Sequence, residues 1–98
     1  MELQKMLDTV IEELNEAHEA GTLSDYIADA LEVEYTKNLS GHYIGAKLLV
    51  TFGNPNVYVN TRTGKIEGYL DRDHMQKNIP GATWADLDDI IMEIVGTV

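Results

Sequence analysis

The chain has no cysteine and only two prolines among its 98 residues, and its seven bases are outnumbered by seventeen acids. Without cysteine there is no disulfide framework, no thiolate metal site and no cysteine nucleophile, which suits a reducing cytoplasm. No apolar run approaches the roughly 20 residues needed to span a bilayer, and the start Met1-Glu2-Leu3-Gln4-Lys5 lacks the pattern of a secretion signal. The expectation is a cytoplasmic protein with no membrane partner. A net charge of −10 repels nucleic acid and acidic lipid, and it attracts basic protein surfaces.

The charge is unevenly spread. Residues 1–34 hold ten of the seventeen acids and one base, Lys5; residues 35–66 hold no acid and four bases, Lys37, Lys47, Arg62 and Lys65. The remainder returns to seven acids against two bases. Elements of opposite electrical character are therefore joined in one small domain, since 98 residues supply one modest core and no second layer with a large cleft.

Hydrophobic spacing divides the chain. Leu3, Met6, Leu7, Val10, Ile11, Leu14 and Ala17 recur every three or four residues, which predicts an amphipathic helix over 2–20 ended by Gly21. Ser24 is placed to cap a short second helix through Ala30, with Tyr26, Ile27, Ala30 and Leu31 available to the core. From Glu32 the period becomes two, and half-buried Val33 and Tyr35 are expected in a strand ending near Asn38. Three further strands are expected over Tyr43–Phe52, Val57–Val59 and Lys65–Leu70, separated by turns at Ser40-Gly41, Gly53-Asn54-Pro55-Asn56 and Thr61-Arg62-Thr63-Gly64. Gly45 and Gly68, inside strands, predict a bulge or the close approach of a neighbour such as a tyrosine ring. After Asn78-Ile79-Pro80-Gly81, Thr83 and Asp86 read as a capping box for a last helix through Val95, with Leu87, Ile90, Ile91 and Ile94 buried and Trp84 pinning it to the sheet. The fold class read from this order is α+β, a four-stranded antiparallel meander with the N-terminal and C-terminal helices on one face. Tyr58, Tyr69, Lys47 and Lys65 then occupy the open face.

Two groups of acids are the candidate contact residues. Asp8, Glu12, Glu13, Glu16 and Glu19 fall on the polar side of the first helix, at a spacing that can engage Lys and Arg side chains lining a phosphate-binding groove. Asp86, Asp89 and Glu93 of the last helix assist them; together with Asp88 they also suit the N-terminal end of a helix dipole. Asp71-Arg72-Asp73-His74 gathers carboxylates and imidazole, but alternation along a strand sends neighbours to opposite sides, and His18 and His42 sit in no ligand spacing. No catalytic site, metal or cofactor is expected. The tyrosines with Lys47, Arg62 and Lys65 suggest a sheet that stacks nucleobases, a reading opposed by the net charge.

The stretches Val33-Glu34-Tyr35-Thr36, Gly45-Ala46-Lys47-Leu48-Leu49-Val50, Gly53-Asn54-Pro55-Asn56-Val57-Tyr58-Val59-Asn60-Thr61-Arg62-Thr63-Gly64 and Glu67-Gly68-Tyr69 resemble a group of short proteins from phages and mobile elements of Gram-positive bacteria. In size and acidity the chain is also similar to the small phage-encoded inhibitors of bacterial defence, the anti-CRISPR and anti-restriction proteins. The resemblance implies an inhibitor, not an enzyme, that binds a basic nucleic-acid-handling protein such as a host defence nuclease and blocks its nucleic-acid site. The alternative is a homodimeric structural or accessory protein that pairs through the exposed sheet face or an edge strand.

Overall fold

The computed structural model describes residues 2–53 and 55–96. Helix α1 (Glu2–Ala20) and the short α2 (Leu23–Ala28) precede five strands, β1 (Glu32–Lys37), β2 (Tyr43–Thr51), β3 (Asn56–Asn60), β4 (Lys65–Leu70) and β5 (Asp73–Asn78), and α3 (Gly81–Gly96) closes the chain. The strands lie in sequence order, each antiparallel to the next. The α+β class and the meander are as the sequence predicts, but the sheet has five strands rather than four. Its extra member, β5, has a single apolar residue, Met75, among six and so shows no hydrophobic alternation.

Helix α1 buries Leu3, Leu7, Val10, Leu14 and Ala17 on one stripe. It ends in a Schellman motif: Gly21 takes φ 72°, its N–H donates to the His18 carbonyl, and the Thr22 N–H reaches the Ala17 carbonyl at 2.8 Å. In α2, Thr22 rather than Ser24 is the N-cap residue, and its side chain makes no capping bond. Leu31, read as a core candidate, is 62% exposed.

The helix-facing side of the sheet presents Ala46, Leu48, Val57, Val59 and Ile66 to α1, α2 and α3. Close approach of α1 to β4 requires Gly68, where a Cβ would stand 2.8 Å from Leu3 Cδ1 and 2.9 Å from Leu7 Cδ2. At Gly45 the neighbour is the β3–β4 turn, since a Cβ there would fall 2.5 Å from that of Arg62. Leucines and an arginine, not tyrosine rings, therefore crowd the two strand glycines. Asparagine side chains shape the turns: Asn38 Oδ1 accepts from the Ser40 and His42 N–H groups, and Asn60 Oδ1 from those of Arg62 and Thr63. Asn54, placed in the β2–β3 turn by the sequence, lies outside the described residues.

Helix α3 starts at Gly81, two residues before the expected cap. Thr83 is thereby inside the helix, where its hydroxyl donates to Asn15 Oδ1 at 2.6 Å, and Asp86 accepts from His18 at 2.9 Å; neither forms a capping box. The buried stripe of α3 is Thr83, Leu87, Ile91 and Val95, spaced by four, which leaves Ile94 49% exposed on its shoulder. Trp84 does pin the helix, through an Nε1–H bond of 2.6 Å to the Thr61 carbonyl. Among the described residues no helix is long and apolar enough to cross a membrane.

Candidate functional site: the acidic helical layer

Because the sheet's inner side needs apolar partners, α1 and α3 turn their polar sides to solvent, and most of the acids go with them. At 100° per residue, Asp8, Glu12, Glu16 and Glu19 share one side of α1 opposite its leucines, and all four are exposed. Glu12, Glu16 and Glu19 have no ion-pair partner among the described residues, whereas Asp8 is bonded to Lys77 of β5. Glu13 does not belong to this row. It lies on the other shoulder of α1, where with Met6, Val10, Tyr26, Asp29 and Val50 it lines a cavity of about 320 Å³. Burial pushes the Tyr26 hydroxyl up to about 12, with the Glu13 charge adding to the effect.

On α3 the acids separate by role. Asp89 and Glu93 are exposed. Asp86 is half-buried beside His18 and joins α3 to α1. Asp88 receives the Tyr43 hydroxyl proton at 2.6 Å, so it is structural. None lies in the first turn of the helix, so the helix dipole does not account for them. Of the eight acids singled out from the sequence, five, Glu12, Glu16, Glu19, Asp89 and Glu93, are thus exposed and unpaired on the outside of the helical layer. Asp8 and Asp86 are bonded within the domain, and Glu13, also exposed, faces the cavity beside Tyr26 on the other shoulder of α1.

The open face of the sheet is different. Tyr58, Tyr69 and His74 run diagonally across β3, β4 and β5, with the tyrosine rings edge to face at 6.0 Å and His74 stacked 4.6 Å from Tyr69. Lys47 sits 4.3 Å over the Tyr58 ring and 3.5 Å from Glu67, which is only 7% exposed and also accepts from Asn60 Nδ2 at 3.3 Å. Lys47 is therefore occupied by protein carboxylate and aromatic ring, and Glu34 faces it across the ladder. Such a face has no surplus positive charge for phosphates. In the Asp71–His74 segment, Asp71 takes φ 53° in the turn and His74 is held by Tyr69. Among the described residues no three His, Cys, Asp or Glu side chains are grouped to hold a metal ion.

A chain of hydroxyls holds the layers together, and sequence reasoning missed it. The Ala46 N–H donates to Thr61 Oγ1 at 2.9 Å, Thr61 and Tyr43 hydroxyls meet at 3.0 Å, and Tyr43 donates to Asp88. Since Tyr43 gives its proton to the carboxylate, it accepts from Thr61. Burial and the Asp88 bond raise the Tyr43 pKa well above the ordinary value for tyrosine. No local motif signals the set, because its members lie 15, 18 and 45 residues apart. Compared with known proteins, the chain matches no family model, no curated protein and no solved structure.

Proposed function

We propose that this protein is a small acidic inhibitor of the phage type, not an enzyme, which binds a basic nucleic-acid-handling protein such as a CRISPR or restriction nuclease and covers its nucleic-acid site. The observation that carries the reading is the row Glu12, Glu16 and Glu19, exposed and unpaired on a rigid helix, with Asp89 and Glu93 on its neighbour. Along the axis these α1 carboxylates are about 6 and 4.5 Å apart, from about 1.5 Å per residue, against about 3.4 Å per phosphate along one DNA strand. The linear charge density is of the same order. A groove of Lys and Arg that holds a phosphate backbone can be occupied by such a row, and its attraction weakens as salt screens it.

The test is an affinity pull-down from a bacterial host lysate, at low and at moderate salt, with wild-type protein and with the variant E12K/E16K/E19K. All three substitutions are on the solvent side of α1, so the variant is expected to keep the wild-type circular dichroism spectrum. The reading expects a basic nucleic-acid enzyme to be captured by the wild type at low salt, released as salt rises, and absent from the variant. Equal capture by both folded proteins removes α1 from the interface.

A further inference from the structure

Strand β1 is left bare by the layers that cover the rest of the sheet. All six of its residues are exposed, and it ends the strand order. Strands lie about 4.8 Å apart and a helix is about 10 Å across, so α1 over β4 and β5, with α3 over β2, does not reach it. The side of β1 that faces the helical layer carries Val33, 40% exposed, and Tyr35, 48% exposed. Met92 of α3, 47% exposed, walls the cavity that includes Lys37 and Tyr43 at this edge. The opposite edge is not alike: on β5 the corresponding Met75 and Lys77 are half-buried under α1.

The backbone of β1 is also unpaired on one side. Ala46 turns both its polar groups away from β1, its carbonyl accepting from the Thr61 N–H and its N–H donating to Thr61 Oγ1, each at 2.9 Å. Tyr35 stands opposite Ala46. It therefore directs its own N–H and C=O to the open edge, as does Val33 two residues before it. An edge of this kind is a template for another strand.

We infer that the strand is supplied by a second copy of this chain, β1 against β1, giving a ten-stranded antiparallel sheet with Tyr35 on the two-fold axis. Charge selects the partner. Strand β1 carries Glu32 and Glu34 against Lys37, a charge of −1 in a molecule of net charge −10. A basic protein is drawn to the helices, whereas an edge of nearly balanced charge accepts its own image. Symmetry then fixes the register, because a two-fold pairing sets helix-side residues opposite helix-side residues and its axis must pass through a residue. An axis at Glu34 would oppose two carboxylates. An axis at Tyr35 pairs the two tyrosines, sets Glu34 opposite Thr36 of the second copy, and uses the outward backbone groups of Tyr35 and Val33. The two α3 helices then stand over strands about 14 Å apart, three strand spacings, and Val33, Tyr35 and Met92 fill the slot between them.

Sedimentation equilibrium between about 5 and about 500 μM tests the pairing, the range in which a small strand-edge interface dissociates. The expected result is a doubled mass at high concentration. Tyr35→Pro removes an N–H that faces the edge and none from the β1–β2 ladder, so it should stay folded and sediment as a monomer. The register is tested by oxidation in a chain with no native cysteine. Tyr35→Cys should form a covalent dimer, with its Cα atoms about 5.5 Å apart across the axis, and Glu34→Cys, about 8 Å from its copy, should not. A wild type monomeric throughout, a dimer that Tyr35→Pro leaves intact, or cross-linking through Glu34→Cys in place of Tyr35→Cys would each overturn the proposal.

Discussion

Thr61 is 1% exposed, and its one hydroxyl bonds both Ala46 and Tyr43 of β2 and, through Tyr43, reaches α3. A buried hydroxyl is tolerated only when its bonds are made, and here the last acceptor is a carboxylate, which strengthens the bond it receives. Tyr43→Phe removes the middle of the chain and leaves Asp88 and Thr61 to find other partners. A loss of about 1 to 3 kcal/mol in denaturant unfolding is expected. The same phenol gives a pH dependence whose sign is determined. The folded pKa values of Tyr43 and Tyr26 lie above the ordinary value near 10, so both groups contribute stability that is complete below about pH 10 and is lost as pH rises through the folded values. Tyrosinate absorbance should show two groups ionising late, Tyr26 at about 12, and the urea midpoint should fall across that interval. Retention of the full midpoint up to pH 12 would contradict this account of both side chains.

At the scale of elements, the close approaches are carried by glycines in strands. Gly45 takes φ 157° and meets both the Cα and the Cβ of Arg62, whose N–H is bonded to Asn60 Oδ1 in the turn, whereas Gly68 meets the ends of two leucine side chains. Gly45→Ala should therefore cost more than Gly68→Ala, on the order of 3 against 1 to 2 kcal/mol, read as shifts of the urea midpoint at constant slope. An equal or reversed order would mean that the β3–β4 turn yields more easily than the α1 contact. Helices α1 and α3 were legible from apolar residues recurring every three or four positions, and β2 to β4 from an apolar run and from the turns that bound them. Strand β5 was not, because its order comes from the free edge of β4 and from Lys77, whose alkyl stem passes under α1 while its amine meets Asp8. Strand β1 misled in the opposite direction. Its alternation of Val33 and Tyr35 with glutamates signals a half-buried strand, yet no helix reaches over it, and only the assembled layers reveal that. The capping box failed for a related reason: Thr83 and Asp86 make their bonds to α1, at a sequence separation of 68 residues that local spacing does not encode.

For the molecule as a whole, the charge segregation seen along the chain becomes a segregation in space. Most acids of the two ends lie on the helices, with Glu32, Glu34, Glu67 and Asp73 in the sheet, and the lysines of the middle, Lys37, Lys47 and Lys65, lie in the sheet, where Lys47 is met by Glu67 and Tyr58. The sign and the surface were readable from the sequence, while the sorting of acids by task was not. Asp8, Glu13, Asp86 and Asp88 looked like their neighbours until Lys77, Tyr26, His18 and Tyr43 stood beside them. What remains for a partner is the set Glu12, Glu16, Glu19, Asp89 and Glu93, on the side of the domain away from the sheet's open face.

The most direct measurement is displacement of labelled nucleic acid from the captured basic partner, followed by fluorescence anisotropy as this protein is added. The wild type should release the nucleic acid to completion at one copy of the chain per site, less effectively as salt rises, and E12K/E16K/E19K, folded but reversed in charge, should release none. Tight binding of the wild type to the partner with the nucleic acid still in place would contradict the claim that the acidic helical layer occupies its site.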